Sequence, residues 1–121
     1  MSLKITWYSH ASFLIETDKA RLLVDPFITD NPLSPVKAGE IQTDYILVSH
    51  GHGDHVGDSV PIAKRTGAMV ISNYEIHNWM VAQGVENVHP QHIGGGFDYP
   101  WGRVKLTMAQ HGSALPDGSY G

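Results

Sequence analysis

The sequence predicts a mixed α/β fold in which helices cover the outer face of a sheet. Near the N-terminus, apolar Leu3, Ile5 and Trp7 alternate with polar residues, which is the period of a strand with one buried face. Residues 45–83 then favour strands and helices in turn, and an alternating pattern returns over residues 104–108. Strands before and after a segment of alternating strands and helices are typical of a sheet with helices packed on one face.

Three antiparallel strands are predicted at the N-terminal end of the chain. The alternation of residues 3–7 is repeated over residues 12–17, and the polar pair 18–19 forms a turn. A short apolar strand then covers residues 21–24. It ends at the pair 25–26, because a proline cannot continue the hydrogen-bond ladder of a strand.

The middle of the chain alternates between strands and helices. Residues 45–48 are predicted as a buried strand that leads into a histidine-rich loop. A helix follows, which Asp58 or Ser59 caps and Gly67 closes. Residues 68–71 form the next strand.

The C-terminal third begins with a second predicted helix. Ser72 and Glu75 match a capping box, so we expect this helix to start there and to run through Gln83. Residues 104–108 then alternate as a strand that brings His111 to its end.

Length and composition limit the possible functions. The 121 residues fit a single domain, and the 41% of hydrophobic residues indicate a globular chain. The net charge of −4 argues against a general electrostatic attraction to nucleic acid. There is no cysteine, so any metal ligands are histidines or carboxylates. No signal core and no long apolar run is present, so we expect a cytoplasmic protein without a membrane segment.

The most informative segment is Ser-His-Gly-His-Gly-Asp-His at residues 49–55. It contains four potential metal ligands: His50, His52, Asp54 and His55. Imidazole and carboxylate ligands suit zinc and its neighbours. In a helix His50 and His52 would lie about 200° apart around the axis, so a loop is predicted. We expect Gly51 and Gly53 to supply the backbone freedom for this loop, and the adjacent aspartate and histidine to serve a second metal.

This segment resembles the His-x-His-x-Asp-His signature of the metallo-β-lactamase superfamily. The flanking segments are similar to one branch, the UPF0173 metal-dependent hydrolases, which are related to ascorbate-6-phosphate lactonases. The segments that carry the resemblance are residues 6–15, 23–27, 50–57, 92–96 and 110–113.

The resemblance implies an αββα sandwich, of which residues 1–121 supply the N-terminal half, one sheet with its helices. Members of the superfamily continue with a strand pair, an aspartate that bridges two metals and a final metal-binding histidine. We therefore expect the C-terminal half of the same protein as a partner, carried by a separate chain or removed by truncation. Without it one apolar sheet face would be exposed, so we expect residues 1–121 alone to fold poorly. A homo-oligomer is also compatible with this expectation.

The resemblance also implies two metal sites. The first takes His50, His52 and His111, and the second takes Asp54 and His55. A site with three histidines and an open fourth position is an established catalytic zinc arrangement. We expect two divalent ions, with zinc as the first choice and manganese, iron or nickel as alternatives.

Three further residues are candidates, and two of them have two interpretations each. Asp25 either orients a ligand histidine from behind or is a turn acid at a strand end, and the resemblance favours the first role. His10 either donates to an oxyanion or a substrate, or is a packed histidine. His92, beside three glycines, is expected to line the mouth of the site on a movable loop.

Together these features predict a metal-dependent hydrolase of a small-molecule substrate. A metal-activated hydroxide would attack an ester, lactone or phosphodiester bond, with Asp54 holding the second metal and steering the nucleophile or accepting its proton. We expect activity to require the C-terminal half. The alternatives are an inert metal-binding or structural module, and a nuclease of the same superfamily, which the acidic net charge disfavours.

Overall fold

The computed structural model describes residues 2–121 and contains one large sheet, one hairpin and three α-helices in that range. The large sheet consists of β1 (Leu3–Trp7), β2 (Phe13–Thr17), β3 (Arg21–Val24), β4 (Tyr45–Leu47), β5 (Met69–Ser72) and β6 (Val88–Pro90). The hairpin consists of β7 (Gly96–Tyr99) and β8 (Gly102–Lys105). The helices are α1 (Gly53–Val56), α2 (Ser59–Thr66) and α3 (Tyr74–Ala82), and Ala38–Glu40 form a short 3₁₀ turn. None of the helices in residues 2–121 is long and apolar enough to cross a membrane.

The six strands of the large sheet follow one another in chain order. The first three pair antiparallel, as the alternation predicts, whereas β3, β4, β5 and β6 pair in parallel. Parallel neighbours need crossover connections, and α2 and α3 lie in the connections that flank β5. The carboxyl ends of β3, β4 and β5 therefore meet at one edge of the sheet, and the segments that follow them lie side by side.

The hydrophobic core lies between the large sheet and the two longer helices. Alternate strand residues point toward the helices, and the sheet side of the core includes Leu14, Leu23, Ile46 and Val70. Ile62 of α2 and Ile76 and Met80 of α3 pack against them and are at most 1% exposed. Burial of each such side chain stabilises the fold by roughly 1.5–3 kcal/mol. This core holds the carboxyl edge of the parallel strands in place.

The opposite face of the large sheet is only partly covered. The hairpin packs on it through ring contacts of Tyr45 with Tyr99 and Trp101, at centroid distances of 5.9 and 5.2 Å. At the β1 end of the same face, Leu3, Ile5 and Trp7 are exposed by 62%, 58% and 62%. An apolar strand face is therefore open to solvent.

The two predicted helix starts differ in detail from the structure. Asn73, rather than Ser72, caps α3, because its side chain accepts a hydrogen bond from the amide of Ile76 at 2.9 Å. Asp58 precedes α2, but its carboxylate binds the amides of Ile28 and Thr29 instead of capping the helix. Both residues secure loops at the carboxyl edge of the sheet.

The predicted strand over residues 104–108 ends earlier, because its partner strand ends. Gly94 has a φ of +87° and turns the chain away just before β7. The last backbone bonds between the two segments join Leu106 to Gly94 and Gly95. His111 therefore follows an irregular segment and not a strand end.

Candidate metal centre

The motif residues lie at the carboxyl edge of the parallel strands. His50 follows β4, and His52 directly precedes α1, so this part is the predicted loop. Asp54 and His55, in contrast, lie within the single turn of α1 and not in a loop. The short helix places these two side chains beside the loop histidines.

Three histidines form the first cluster, which we call the three-histidine cluster. It consists of His50, His52 and His111, and one ring nitrogen from each lies within 4.8 Å of the others. The ring centroids are 4.9 Å apart for His50 and His52, and His111 lies 4.8 and 5.0 Å from these two rings. The structure thus brings together the three residues that the sequence assigns to a first metal.

A second group, which we call the mixed cluster, consists of His10, Asp54 and His55. Their ligand atoms also lie within 4.8 Å of one another. Nε2 of His10 is 3.3 Å and Nε2 of His55 is 3.9 Å from the carboxylate of Asp54. The two clusters adjoin, since the ring centroids of His50 and His55 are 4.0 Å apart.

One buried carboxylate supports both clusters from behind. Asp25 is 3% exposed, and its Oδ2 lies 2.8 Å from Nδ1 of His55. The same oxygen accepts a 2.6 Å hydrogen bond from the hydroxyl of Ser49, whose amide donates to Oδ1 at 2.7 Å. Because the Ser49 proton goes to Asp25, the Ser49 oxygen accepts from Nδ1 of His50, 2.9 Å away. In both histidines this arrangement leaves Nε2 with a free lone pair.

The environment of His50 fits a divalent metal. Its Nε2 is buried and has no hydrogen-bond partner among residues 2–121, an unusual state for a buried polar atom. Burial, followed by the nearby His55 imidazole, lowers the pKa of His50 below its ordinary value and favours the neutral ring. A neutral imidazole with an unpartnered nitrogen is the form that binds metal ions.

Close contact between two loops positions His111. The amide of Gly51 donates to Oγ of Ser113 at 2.9 Å. A Cβ on Gly51 would lie 2.7 Å from the backbone oxygen of Ser113, so a larger residue has no space there. The expected reason for this glycine was backbone freedom, but neither Gly51 nor Gly53 has a positive φ. Lack of space is the observed constraint at Gly51.

A family model for the metallo-β-lactamase superfamily matches residues 5–114, which include all six residues of the two clusters. The chain belongs to the metallo-β-lactamase superfamily. The mixed sheet with helices on one face agrees with this membership and with the predicted fold class.

Two curated relatives in this superfamily are UPF0173 metal-dependent hydrolases. The protein of Heliobacterium modesticaldum is 49% identical over 116 residues, which are 96% of this chain and 48% of the relative. The protein of Carboxydothermus hydrogenoformans is 50% identical over 116 residues, 96% of this chain and 51% of the relative. The chain thus spans about half the length of the curated relatives it matches.

A solved structure extends the similarity to three dimensions. A metallo hydrolase from the hyperthermophilic archaeon Ignicoccus hospitalis superposes with a TM-score of 0.83 at 32% identity. The match covers 98% of this chain and 52% of that protein. The fold of this chain is therefore similar to about half of that metallo hydrolase.

The three remaining candidates lie in different surroundings. Asp25 contacts a ligand candidate from behind, which is the first of its two interpretations. His10 lies in the mixed cluster instead of standing apart from it. His92 is exposed between β6 and β7 and is a member of neither cluster in the described range, while its neighbour Ile93 lines a cavity beside His50 and His111.

Two residues that form hydrogen bonds around the clusters are not among the candidates that the sequence predicts. Ser49 joins Asp25 to His50, and Ser113 holds the loop that carries His111. Each is a small hydroxyl residue next to, or two positions from, a candidate ligand histidine. That adjacency is the signal that would have identified them.

Proposed function

We propose that this chain carries the metal-binding half of a hydrolase that acts on an ester, lactone or phosphodiester bond. The proposal rests mainly on one observation, the two adjoining ligand clusters that the buried carboxylate of Asp25 supports, directly at His55 and through Ser49 at His50. The names of the relatives agree with a metal-dependent hydrolase.

The proposed ligands divide between two ions. His50, His52 and His111 would hold the first, and Asp54 and His55 would hold the second. Imidazole and carboxylate donors favour zinc, with manganese, iron and nickel as alternatives. Two such ions would lower the pKa of a water between them from about 15.7 toward about 7 and so supply hydroxide at neutral pH. The exposed carboxylate of Asp54 would steer this nucleophile or accept its proton.

A cavity beside the three-histidine cluster fits a small substrate. It has a volume of about 510 Å³, within the usual range of small-molecule sites. His50 and His111 form one wall, while Ile93 and Leu106 supply apolar surface and Lys105 supplies a cation. This lining favours a small molecule over a nucleic acid, in agreement with the net charge of −4.

The open sheet face supports the proposed partner. Leu3, Ile5 and Trp7 form an exposed apolar row on the face that the hairpin only partly covers. We propose that a second sheet, the C-terminal half of the same protein, packs on this row, which a second copy of the chain would also fit. Its contribution of further metal ligands is part of the same proposal.

The test compares Asp54→Ala with His77→Ala in the full-length protein. His77 lies on α3, where its ring stacks on Tyr74 away from both clusters, so it is the matched control. We expect Asp54→Ala to lower hydrolysis of an ester, lactone and phosphodiester panel by about 100-fold or more, the range for loss of an acid–base group. His77→Ala should leave it unchanged.

Metal content by mass spectrometry is measured on the same samples. Equal activity of the two variants at equal metal content would contradict the role of Asp54. A wild-type protein that binds metal and hydrolyses none of the panel would favour the inert module, and cleavage of nucleic acid alone would favour the nuclease.

A further inference from the structure

His10 lies on the turn between β1 and β2, far in sequence from the motif. The family pattern assigns only Asp54 and His55 of this chain to the second metal. We propose that His10 is a further protein ligand of that metal, so that the mixed cluster supplies three of its ligands. This inference rests on the proposed function, because it assigns a ligand to a metal that the proposal requires.

The distances within the mixed cluster fit coordination better than a hydrogen bond. Two ligand atoms at about 2.1 Å from a tetrahedral ion are separated by roughly 3.4 Å. Nε2 of His10 lies 3.3 Å from Oδ2 of Asp54. A charge-assisted hydrogen bond between these groups would be shorter, about 2.7–2.9 Å. The observed spacing leaves room for an ion between the two groups.

The backbone around His10 is strained in a way that favours a functional role. Ser9 and His10 have φ values of +75° and +54°, two consecutive non-glycine residues in the left-handed region. Each such residue costs on the order of 1–3 kcal/mol and persists only where the surroundings enforce it. Hydrogen bonds from Tyr8 to Ser12 and from Ser12 to Ser9, at 2.8 and 3.1 Å, enforce this turn.

Side-chain contacts then fix where the His10 imidazole lies. The indole of Trp7 donates to the carbonyl of His10 at 2.9 Å and holds the end of the turn. The imidazole packs edge to face against Phe27 and His55, with centroid distances of 5.5 and 5.1 Å. A strained turn, an anchored carbonyl and two ring contacts therefore all direct this side chain to Asp54 and His55.

The test measures zinc binding to the full-length wild-type protein and to three variants. His10→Asn removes the imidazole, and asparagine tolerates the left-handed backbone at this position. His10→Gln keeps an amide that donates a hydrogen bond toward Asp54 but is a poor zinc ligand. His77→Asn is the matched control. Zinc stoichiometry by mass spectrometry, affinity by calorimetry and folding by circular dichroism are recorded for each protein.

We expect two zinc ions in the wild type and in His77→Asn, and one in both folded His10 variants or a second ion bound at least 100-fold more weakly. In the cobalt-substituted protein, the visible absorption of the second ion should change with His10→Asn, which reports on its ligands directly. Wild-type affinity for both ions in His10→Asn would overturn the inference and leave the proposed function intact. Full recovery in His10→Gln would also overturn it, because a hydrogen bond to Asp54 would then suffice. A wild-type protein that binds none of zinc, manganese, iron and nickel would overturn both the inference and the proposed function.

Discussion

The three-histidine cluster and the mixed cluster adjoin each other but are built differently. The first joins the loop after β4 to a distant irregular segment that carries His111, and its three ligands are imidazoles. The second joins the strained turn at His10 to the helix α1, and it contains the carboxylate of Asp54. The comparison shows that two adjoining ligand clusters need not be two copies of one design, although Asp25 supports a histidine of each.

Charge adds a further difference between the clusters. Imidazole ligands favour zinc and similar borderline ions, whereas a carboxylate also suits harder ions such as manganese. The support also differs, since Asp25 bonds to His55 directly but reaches His50 only through Ser49. Substitutions in this network should therefore affect the two clusters together or separately, according to position.

The largest effect is expected from Asp25→Asn, which should weaken both clusters. Asparagine has the same shape and tolerates the φ of +42° at this position. Its amide, however, can donate toward Nδ1 of His55, which would place the ring proton on Nε2 and block that ligand atom. We expect about 10- to 100-fold weaker zinc binding at each site by calorimetry. Asp44→Asn, which affects the pair with Arg21 away from the centre, is the control, and a loss at one site only would contradict the shared role.

A smaller effect, confined to the three-histidine cluster, is expected from Gly51→Ala. The added Cβ would lie 2.7 Å from the backbone oxygen of Ser113, so the segment that carries His111 must move away. We expect roughly tenfold weaker binding of the first zinc ion, with the second unchanged. Gly53→Ala, two residues later at the start of α1, is a matched control, because its Cβ would meet nothing within 4 Å. If the two variants behaved alike, the loop contact would not be what positions His111.

Local sequence pattern predicts one part of this centre and not the other. One short segment contains His50, His52, Asp54 and His55, and the alternation of apolar residues in β1 to β3 is also local. Both features can therefore be predicted from the sequence. The place of His10 depends on a turn with two left-handed residues and on packing against Phe27, which are tertiary effects. The bond of Ser49 to Asp25 likewise joins residues from two strand ends.

The hairpin is a second feature that the local sequence pattern does not predict. The sequence marks the run at residues 94–96 as a loop and the alternation after Gly102 as a strand, but a strand needs a partner. That partner is β7, whose Phe97 and Tyr99 pack against His89. The chain turns into β7 at Gly94. The end of a strand therefore depends on where its neighbouring strand ends. The sequence pattern of a single segment does not contain that information.

A still smaller loss of zinc affinity, again confined to the three-histidine cluster, is expected from Ser49→Ala. It removes the acceptor for Nδ1 of His50 but keeps the direct bond from Asp25 to His55. Loss of one hydrogen bond corresponds to roughly two- to tenfold weaker binding of the first zinc ion, with the second unaffected. Ser49→Thr restores the hydroxyl and should restore the affinity. Failure of this rescue, or an equal loss at both sites, would rule out the proposed path through Ser49.

The smallest effect on either cluster is expected from Tyr99→Phe, which tests whether the hairpin is energetically separate from the metal centre. The Tyr99 hydroxyl donates to Oε1 of Gln91 at 2.6 Å and lies 2.7 Å from Nδ1 of His89. Its removal should lower the free energy of unfolding by about 1 kcal/mol at neutral pH and leave zinc binding unchanged.

The pH dependence of the stability difference between the wild type and Tyr99→Phe gives the sharper test. Burial, together with the nearby Tyr45, raises the pKa of Tyr99 to about 12, so the folded state favours the neutral phenol. The phenol of the unfolded chain ionises near pH 10. Because the pKa is higher in the folded state, the stabilisation that the Tyr99 hydroxyl supplies is complete below pH 10. It is lost as the pH rises toward 12. The stability gap between the wild type and Tyr99→Phe, measured by urea unfolding, should therefore be constant up to about pH 9.5 and should narrow above pH 10. A gap that stays constant through this range would mean that the hydroxyl is exposed to water and that the hairpin does not seal this face of the sheet.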